Sequence, residues 1–167
     1  VVALFLDDET TSVLSNTYND IYAGIARLNT VLSRIDGSQM TDTEKSKVKA
    51  EALFMRSFYY FYLVQHWGPV PLMLTEVTSE KDAFVPNSTV DEIYNQLIND
   101  LSEAIEIGLP MPDHFPQSGR ATQGAAKMLR AYVYMTKPNR EYAKSEQDLK
   151  DITKMGYSLE EDYARVF

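Results

Sequence analysis

The sequence predicts an all-helical fold of antiparallel helix hairpins joined by long proline-containing loops, with no sheet of more than two short strands. Three observations carry this reading. Apolar residues recur at helical spacing through five segments. Two of those segments open on Thr-x-x-Glu, a capping box in which the threonine hydroxyl and the glutamate satisfy free N–H groups. Most of them close on Gly or Pro, which end helices for opposite reasons: glycine takes the left-handed conformation, and proline lacks the donor.

The first helix is expected over residues 10–36. Leu14, Tyr18, Ile21, Ile25, Leu28, Leu32 and Ile35 form a narrow stripe along one face, and Gly37 stops it. Thr41 and Glu44 cap the second helix, expected over 42–67. Its stretch from Ala50 to Val64 is apolar on nearly every face, so neighbours must cover it from several sides. Gly68-Pro69-Val70-Pro71 ends it. The short connection between these helices predicts an antiparallel hairpin with Ile21, Ile25, Leu28, Phe54, Met55 and Phe58 buried.

Residues 68–88 carry Pro69, Pro71 and Pro86 and read as a long loop, with a short extended piece at Val70–Leu74. Thr89 and Glu92 cap a third helix over 90–107, with Ile93, Leu97, Leu101, Ala104 and Ile105 inward. A loop follows over 109–120. Thr122 caps a fourth helix, whose expected core face holds Ala125, Met128, Leu129, Tyr132 and Met135. Pro138 stops it. A fifth, more polar helix over 139–155 is anchored by Tyr142, Leu149 and Ile152, and a helical turn is expected at 160–165.

Ala52 to Tyr60 aligns with Ala126 to Tyr134 at an offset of 74 residues, placing Arg56 opposite Arg130. Tetratricopeptide hairpins repeat every ~34 residues. The offset is therefore two such units plus a loop insertion. The 167 residues are expected to form a single helical domain.

Net charge is −8 and the pI is about 4.7, the opposite of what nucleic acid or an anionic membrane surface selects. There is no cysteine, which excludes disulfides, thiolate catalysis and cysteine metal sites. No 18-residue apolar stretch exists to span a membrane as a helix.

The residues that could carry chemistry read more simply as structure. His66, beside Trp67, is read as a partly buried histidine at a helix end, favoured by the helix dipole. His114 lies in a proline-rich loop, and two isolated histidines make no metal site. Asp7-Asp8-Glu9 and Glu160-Glu161-Asp162 lack calcium-loop spacing and read as solvated charge. Gly68, Gly119 and Gly124 form no phosphate loop. Phe54, Phe58 and Phe61 sit at helical spacing and are assigned to the core. Trp67 and Tyr157, at element ends, are more open, with packing the preferred role. Asn29, Glu51 and Arg56 interrupt apolar helices. Either they line a binding groove or they form an inter-helix network, and the network is preferred because buried polar groups need partners. Arg56 is expected to be buried and paired. No catalytic residue, metal ligand or cofactor site emerges, and ligand-binding residues cannot be named.

Five motifs in order resemble the SusD/RagB family of outer-membrane nutrient-binding lipoproteins. They are Tyr22 to Leu32 with its Ile25-x-x-x-Asn29-x-x-Leu32 pattern; Glu51 to Leu63 with Gly68-Pro69-Val70-Pro71-Leu72; Tyr94 with Asn99-Asp100-Leu101, Ala104-Ile105 and Leu109-Pro110; Gly119-Arg120-Ala121-Thr122 with Gly124 to Tyr134; and Gly156-Tyr157-x-Leu159 with Tyr163 and Val166-Phe167. Ser57 departs from the family, where alanine is usual. The resemblance implies a tetratricopeptide-like helical part of a longer, surface-exposed lipoprotein, whose lipid anchor and signal peptide are not in this chain. It implies a non-catalytic subunit that binds a glycan or other nutrient and acts with a TonB-dependent outer-membrane transporter. The alternative is a generic helical-repeat scaffold that binds a peptide segment.

Overall fold

The computed structural model describes residues 12–111 and 119–157. Asp7-Asp8-Glu9, His114, Glu160-Glu161-Asp162 and the expected turn at 160–165 lie outside the described residues.

Helix α1 runs Ser12–Arg34 and tightens into a 3-10 turn over Ile35–Gly37. α2 spans Asp42–Trp67, a short α3 covers Glu80–Ala83, and α4 spans Val90–Ile107. α5 runs Gln123–Thr136 and α6 Tyr142–Ile152. Among the described residues there is no strand, only one isolated antiparallel bridge between Pro71 and Asn87. The all-helical expectation holds. The extended piece near Val70 is this bridge, and α3 is a helical turn that the sequence pattern did not reveal.

The caps explain the boundaries. Thr41 accepts from Glu44 N while Glu44 accepts from Thr41 N at 2.9 Å, and Thr89 and Glu92 repeat the arrangement at 2.7 Å. Thr122 accepts from Ala125 N at 3.1 Å and opens α5. Gly68 closes α2 at φ +69, where its N–H reaches Val64 O. A side chain is strained at that φ, so glycine is needed there.

Neighbouring long helices run antiparallel. Tyr18 near the start of α1 meets Trp67 at the end of α2, and Lys45 near the start of α2 donates to Asp36 O just beyond α1. Lys49–Glu103 and Phe61–Tyr94 order α2 against α4. Tyr94–Thr136 and Ser102–Arg130 order α4 against α5; Lys127–Asp151 and Arg130–Asp148 order α5 against α6. One hydrophobic core draws Ile25 from α1, Leu63 from α2, Ile93, Leu97 and Leu101 from α4, and Val133 from α5.

Three burial expectations fail. Phe58 is 48% exposed on the outer side of α2, while Phe54 and Phe61 are half-buried against the core. In α5, Gly124, Ala126, Leu129, Ala131, Val133 and Tyr134 face inward, and Met128 and Tyr132 face out. Ala125 and Met135 are half-buried. Small side chains let α5 approach its neighbours closely, so backbone proximity prevails over side-chain size. In α6 the buried residues are Ser145 and Asp148. Leu149 and Ile152 are half-buried and Tyr142 is exposed.

Candidate functional site

Asn29 and Arg56 converge, as the network reading expected, but they hold a loop as well as helices. Arg56 on α2 and Asp100 on α4 are both buried. Nε donates to Oδ2 at 2.7 Å and Nη2 to Oδ1 at 2.9 Å, the two-point geometry that a guanidinium offers a carboxylate. Gln96 donates to Asp100 Oδ1 at 2.7 Å. Arg56 Nη1 donates to Asn29 Oδ1 at 3.0 Å and to the Leu74 carbonyl at 3.0 Å. Asn29 Nδ2 then donates to the Met73 carbonyl at 2.9 Å. Glu51 stands apart, half-buried, and takes both donors of Arg120 at 2.8 and 2.6 Å.

Two tyrosines complete the grip. Tyr60 OH donates to Met73 O at 3.0 Å and accepts from Met73 N at 2.6 Å. Tyr22 OH donates to Pro71 O at 2.6 Å. Burial, reinforced by the neighbouring Tyr18 side chain, pushes the Tyr22 hydroxyl far above the usual phenol range. Burial also raises Tyr60, against the opposing Met73 N–H. Both hydroxyls are thus held in the protonated form that donates to the loop carbonyls.

The loop that carries the gripped residues forms, through its flanking positions, one wall of a cleft of about 620 Å³. Leu14, Ser15, Tyr18 and Asn19 of α1 face His66 and Trp67 of α2, and Pro69, Val70 and Asn87 of the loop close it. The Pro71–Asn87 bridge and the bond from Ser88 N to Val70 O join the two loop legs. Tyr18 meets Trp67 edge-on at 5.5 Å and tilts against Tyr22 at 4.8 Å. His66 is exposed rather than partly buried. It stacks on Tyr62 at 4.0 Å, and its Nδ1 donates to Tyr62 O at 2.8 Å because a carbonyl can only accept. That leaves Nε2 as the ring's other hydrogen-bonding atom. Aromatic faces beside two carboxamides and a hydroxyl suit a polyol ring, with C–H groups against the aromatics and hydroxyls against the amides.

Tyr157, 41% exposed, lines a separate and more apolar groove with Thr122, Gly124, Ala125, Met128, Ile152 and Thr153. Among the described residues no cluster of His, Asp and Glu is placed to hold a metal, and no helix is long and apolar enough to cross a membrane.

Sequence reasoning singled out Asn29, Arg56, His66 and Trp67, reading each as structure or packing rather than as a ligand contact, and gave no role to Asp100, Tyr22, Tyr60, Asn19 or Asn87 in this site. Asp100 carried a usable signal: a carboxylate between Leu97 and Leu101 on an inward face demands a cation.

Paired helices carrying an inserted, internally clamped loop define a helical-repeat scaffold. Residues 4–135 match the SusD-like family described as "Starch-binding associating with outer membrane". The chain belongs to this SusD-like family. It is 27% identical over 156 residues to SusD-like protein P25 of Formosa agariphila, covering 92% of this chain and 29% of that protein. It is 29% identical over 151 residues to the starch-binding protein SusD of Bacteroides thetaiotaomicron, covering 86% of this chain and 25% of that protein. Among solved structures, a laminarin-binding SusD-like protein superposes with a TM-score of 0.81 at 26% identity, covering 90% of this chain and 33% of that one. A structure with xylogluco-oligosaccharide superposes with a TM-score of 0.77 at 27% identity, covering 92% and 32%. The chain thus spans under a third of the length of these relatives.

Proposed function

We propose that this chain belongs to a non-catalytic glycan-binding subunit that acts with a TonB-dependent transporter, as a surface-exposed lipoprotein of the outer membrane. The observation that carries the reading is the cleft in which Tyr18, His66 and Trp67 stand beside Asn19 and Asn87. Membership of a family described as starch-binding and outer-membrane associated supports it, as do relatives named for starch and laminarin. In this reading Trp67 and Tyr18 supply apolar contact to a sugar ring, while the two asparagines fix its orientation.

The test is calorimetric titration with maltoheptaose, laminarihexaose and xyloglucan oligosaccharide, on the protein and on its Trp67→Ala variant. Binding of one of them, weakened at least tenfold by the substitution, is expected. Absence of binding to all three, or binding indifferent to Trp67→Ala, overturns the assignment of sugar to this cleft. Co-purification of a β-barrel protein from outer membranes tests the transporter half, and its absence counts against that half.

The groove beside Tyr157 favours a second reading, a scaffold that docks an apolar peptide segment. Met128→Asp would abolish peptide capture in that case and leave sugar binding untouched.

A further inference from the structure

From the path of hydrogen bonds between core and loop, we infer that Tyr22 and Asn29 are positioning residues that set the shape of the cleft without lining it. The inference rests on the cleft being the binding site for its consequence in affinity. Its structural content stands independently.

Tyr22 and Asn29 both lie on α1, about one and three turns from Tyr18 respectively, and neither lines the cleft. Each holds a main-chain oxygen of the loop, at Pro71 and Met73 respectively. Pro71 follows the lining residues Pro69 and Val70 directly and is bridged to the lining residue Asn87. Three of the nine lining residues therefore ride on a segment that these two side chains, together with Tyr60 and Arg56, hold in place. Tyr22 acts by a second route as well: its ring supports Tyr18, which in turn meets Trp67.

The internal repeat shows that the arrangement is more than core stability. Arg130 occupies the position of Arg56 in the second repeat and grips Asp148 by the same two atoms. Its remaining nitrogen, Nη1, goes to Ser102 on the neighbouring helix. The Nη1 of Arg56 likewise reaches the preceding helix, at Asn29, but it also donates to the loop carbonyl of Leu74. Among the described residues, the same helix-locking device is thus extended to a loop in the first repeat and not in the second, and that loop walls the cleft.

The chain has a single tryptophan, Trp67, and it lines the cleft, so its fluorescence reports the site directly. Acrylamide quenching is measured on the protein and on Tyr22→Phe, Asn29→Ala and Asp148→Asn. Tyr22→Phe deletes one hydroxyl and keeps the ring. Asp148→Asn weakens the equivalent clamp of the second repeat, away from the cleft, and controls for loss of stability alone. Tyr22→Phe and Asn29→Ala are expected to raise the quenching constant about twofold or more at a temperature where all variants are folded, with Asp148→Asn matching the wild type. Unchanged quenching in the first two, or an equal rise in all three, overturns the inference. Where the protein binds maltoheptaose, laminarihexaose or xyloglucan oligosaccharide, Tyr22→Phe is expected to weaken it about five- to tenfold, the share of one buried hydrogen bond. Failure of every sugar to bind would strike the glycan reading and leave the quenching result standing.

Discussion

Arg56 and Arg130, 74 residues apart, occupy equivalent positions on α2 and α5 and make the same two-point contact with a buried aspartate on the next long helix. Of the two, the Arg56–Asp100 pair has both side chains almost wholly out of solvent, at 8% and 4% exposure. Removing one partner strands the other charge. Asp100→Ala is expected to cost about 3–5 kcal/mol in a urea melt. The double variant Arg56→Met with Asp100→Leu should recover most of that loss, because no charge is left behind. A double variant as unstable as the single would contradict this view of the pair.

Ser57 tests the repeat from another side. It is fully buried, and its hydroxyl has no hydrogen-bond partner among the described residues. Its equivalent in the second repeat is Ala131, which is equally buried. Ser57→Ala is expected to stabilise the protein by about 1 kcal/mol, since it deletes an unpaired polar group and leaves almost no void. A lower melting temperature for the variant would show that the hydroxyl is satisfied.

The outward turn of Phe58 changes what its loss should do. Phe58→Ala is expected to cost under about 1 kcal/mol, as for a substitution on the surface. Leu63→Ala, five residues along the same helix and fully buried, should cost about 2–5 kcal/mol. Denaturant midpoints for the two variants compare them directly, and equal losses would restore Phe58 to the core.

Acid should act on the helix starts. Glu44 is held below the usual carboxylate range chiefly by the Thr41 side chain, and Glu92 chiefly by the Thr89 backbone N–H. A carboxylate lowered in the folded state contributes stability above its unfolded pKa and loses it as pH falls through the folded one. Urea midpoints should therefore hold down to pH about 5 and fall below it, from the ordinary glutamate value downward. Thr41→Ala and Thr89→Ala should flatten that fall by removing the side-chain bond. Slopes identical to the wild type would mean that the capping bonds do not form in solution.

The helix limits were legible because local chemistry writes them: Thr41, Thr89 and Thr122 stand at N-caps, and Gly68 and Gly108 close α2 and α4. The faces of α1 and α4 were legible because their inward residues are large and periodic. The face of α5 was not, because Gly124, Ala126 and Ala131 make close contact possible without a strong hydrophobic signal. The site was half legible. Asn29 and Arg56 announced themselves as polar residues in apolar helices. Their partners at Met73 and Leu74 are backbone carbonyls, which no side-chain pattern encodes. Asn87 reaches the cleft through the pairing of the two loop legs, at Pro71–Asn87 and Val70–Ser88, a long-range pairing invisible to local spacing.

The loop after α2 is grasped at the carbonyls of residues 71, 73 and 74, and every amino acid has a carbonyl. The grip is therefore indifferent to the side chains there, except that position 73 must keep the N–H that Tyr60 accepts and so excludes proline. Much of this rim can be rewritten by mutation while the frame beneath it keeps the same grip, so one architecture can present many recognition surfaces. A fixed mount with an exchangeable face is a cheap way to diversify what a scaffold recognises.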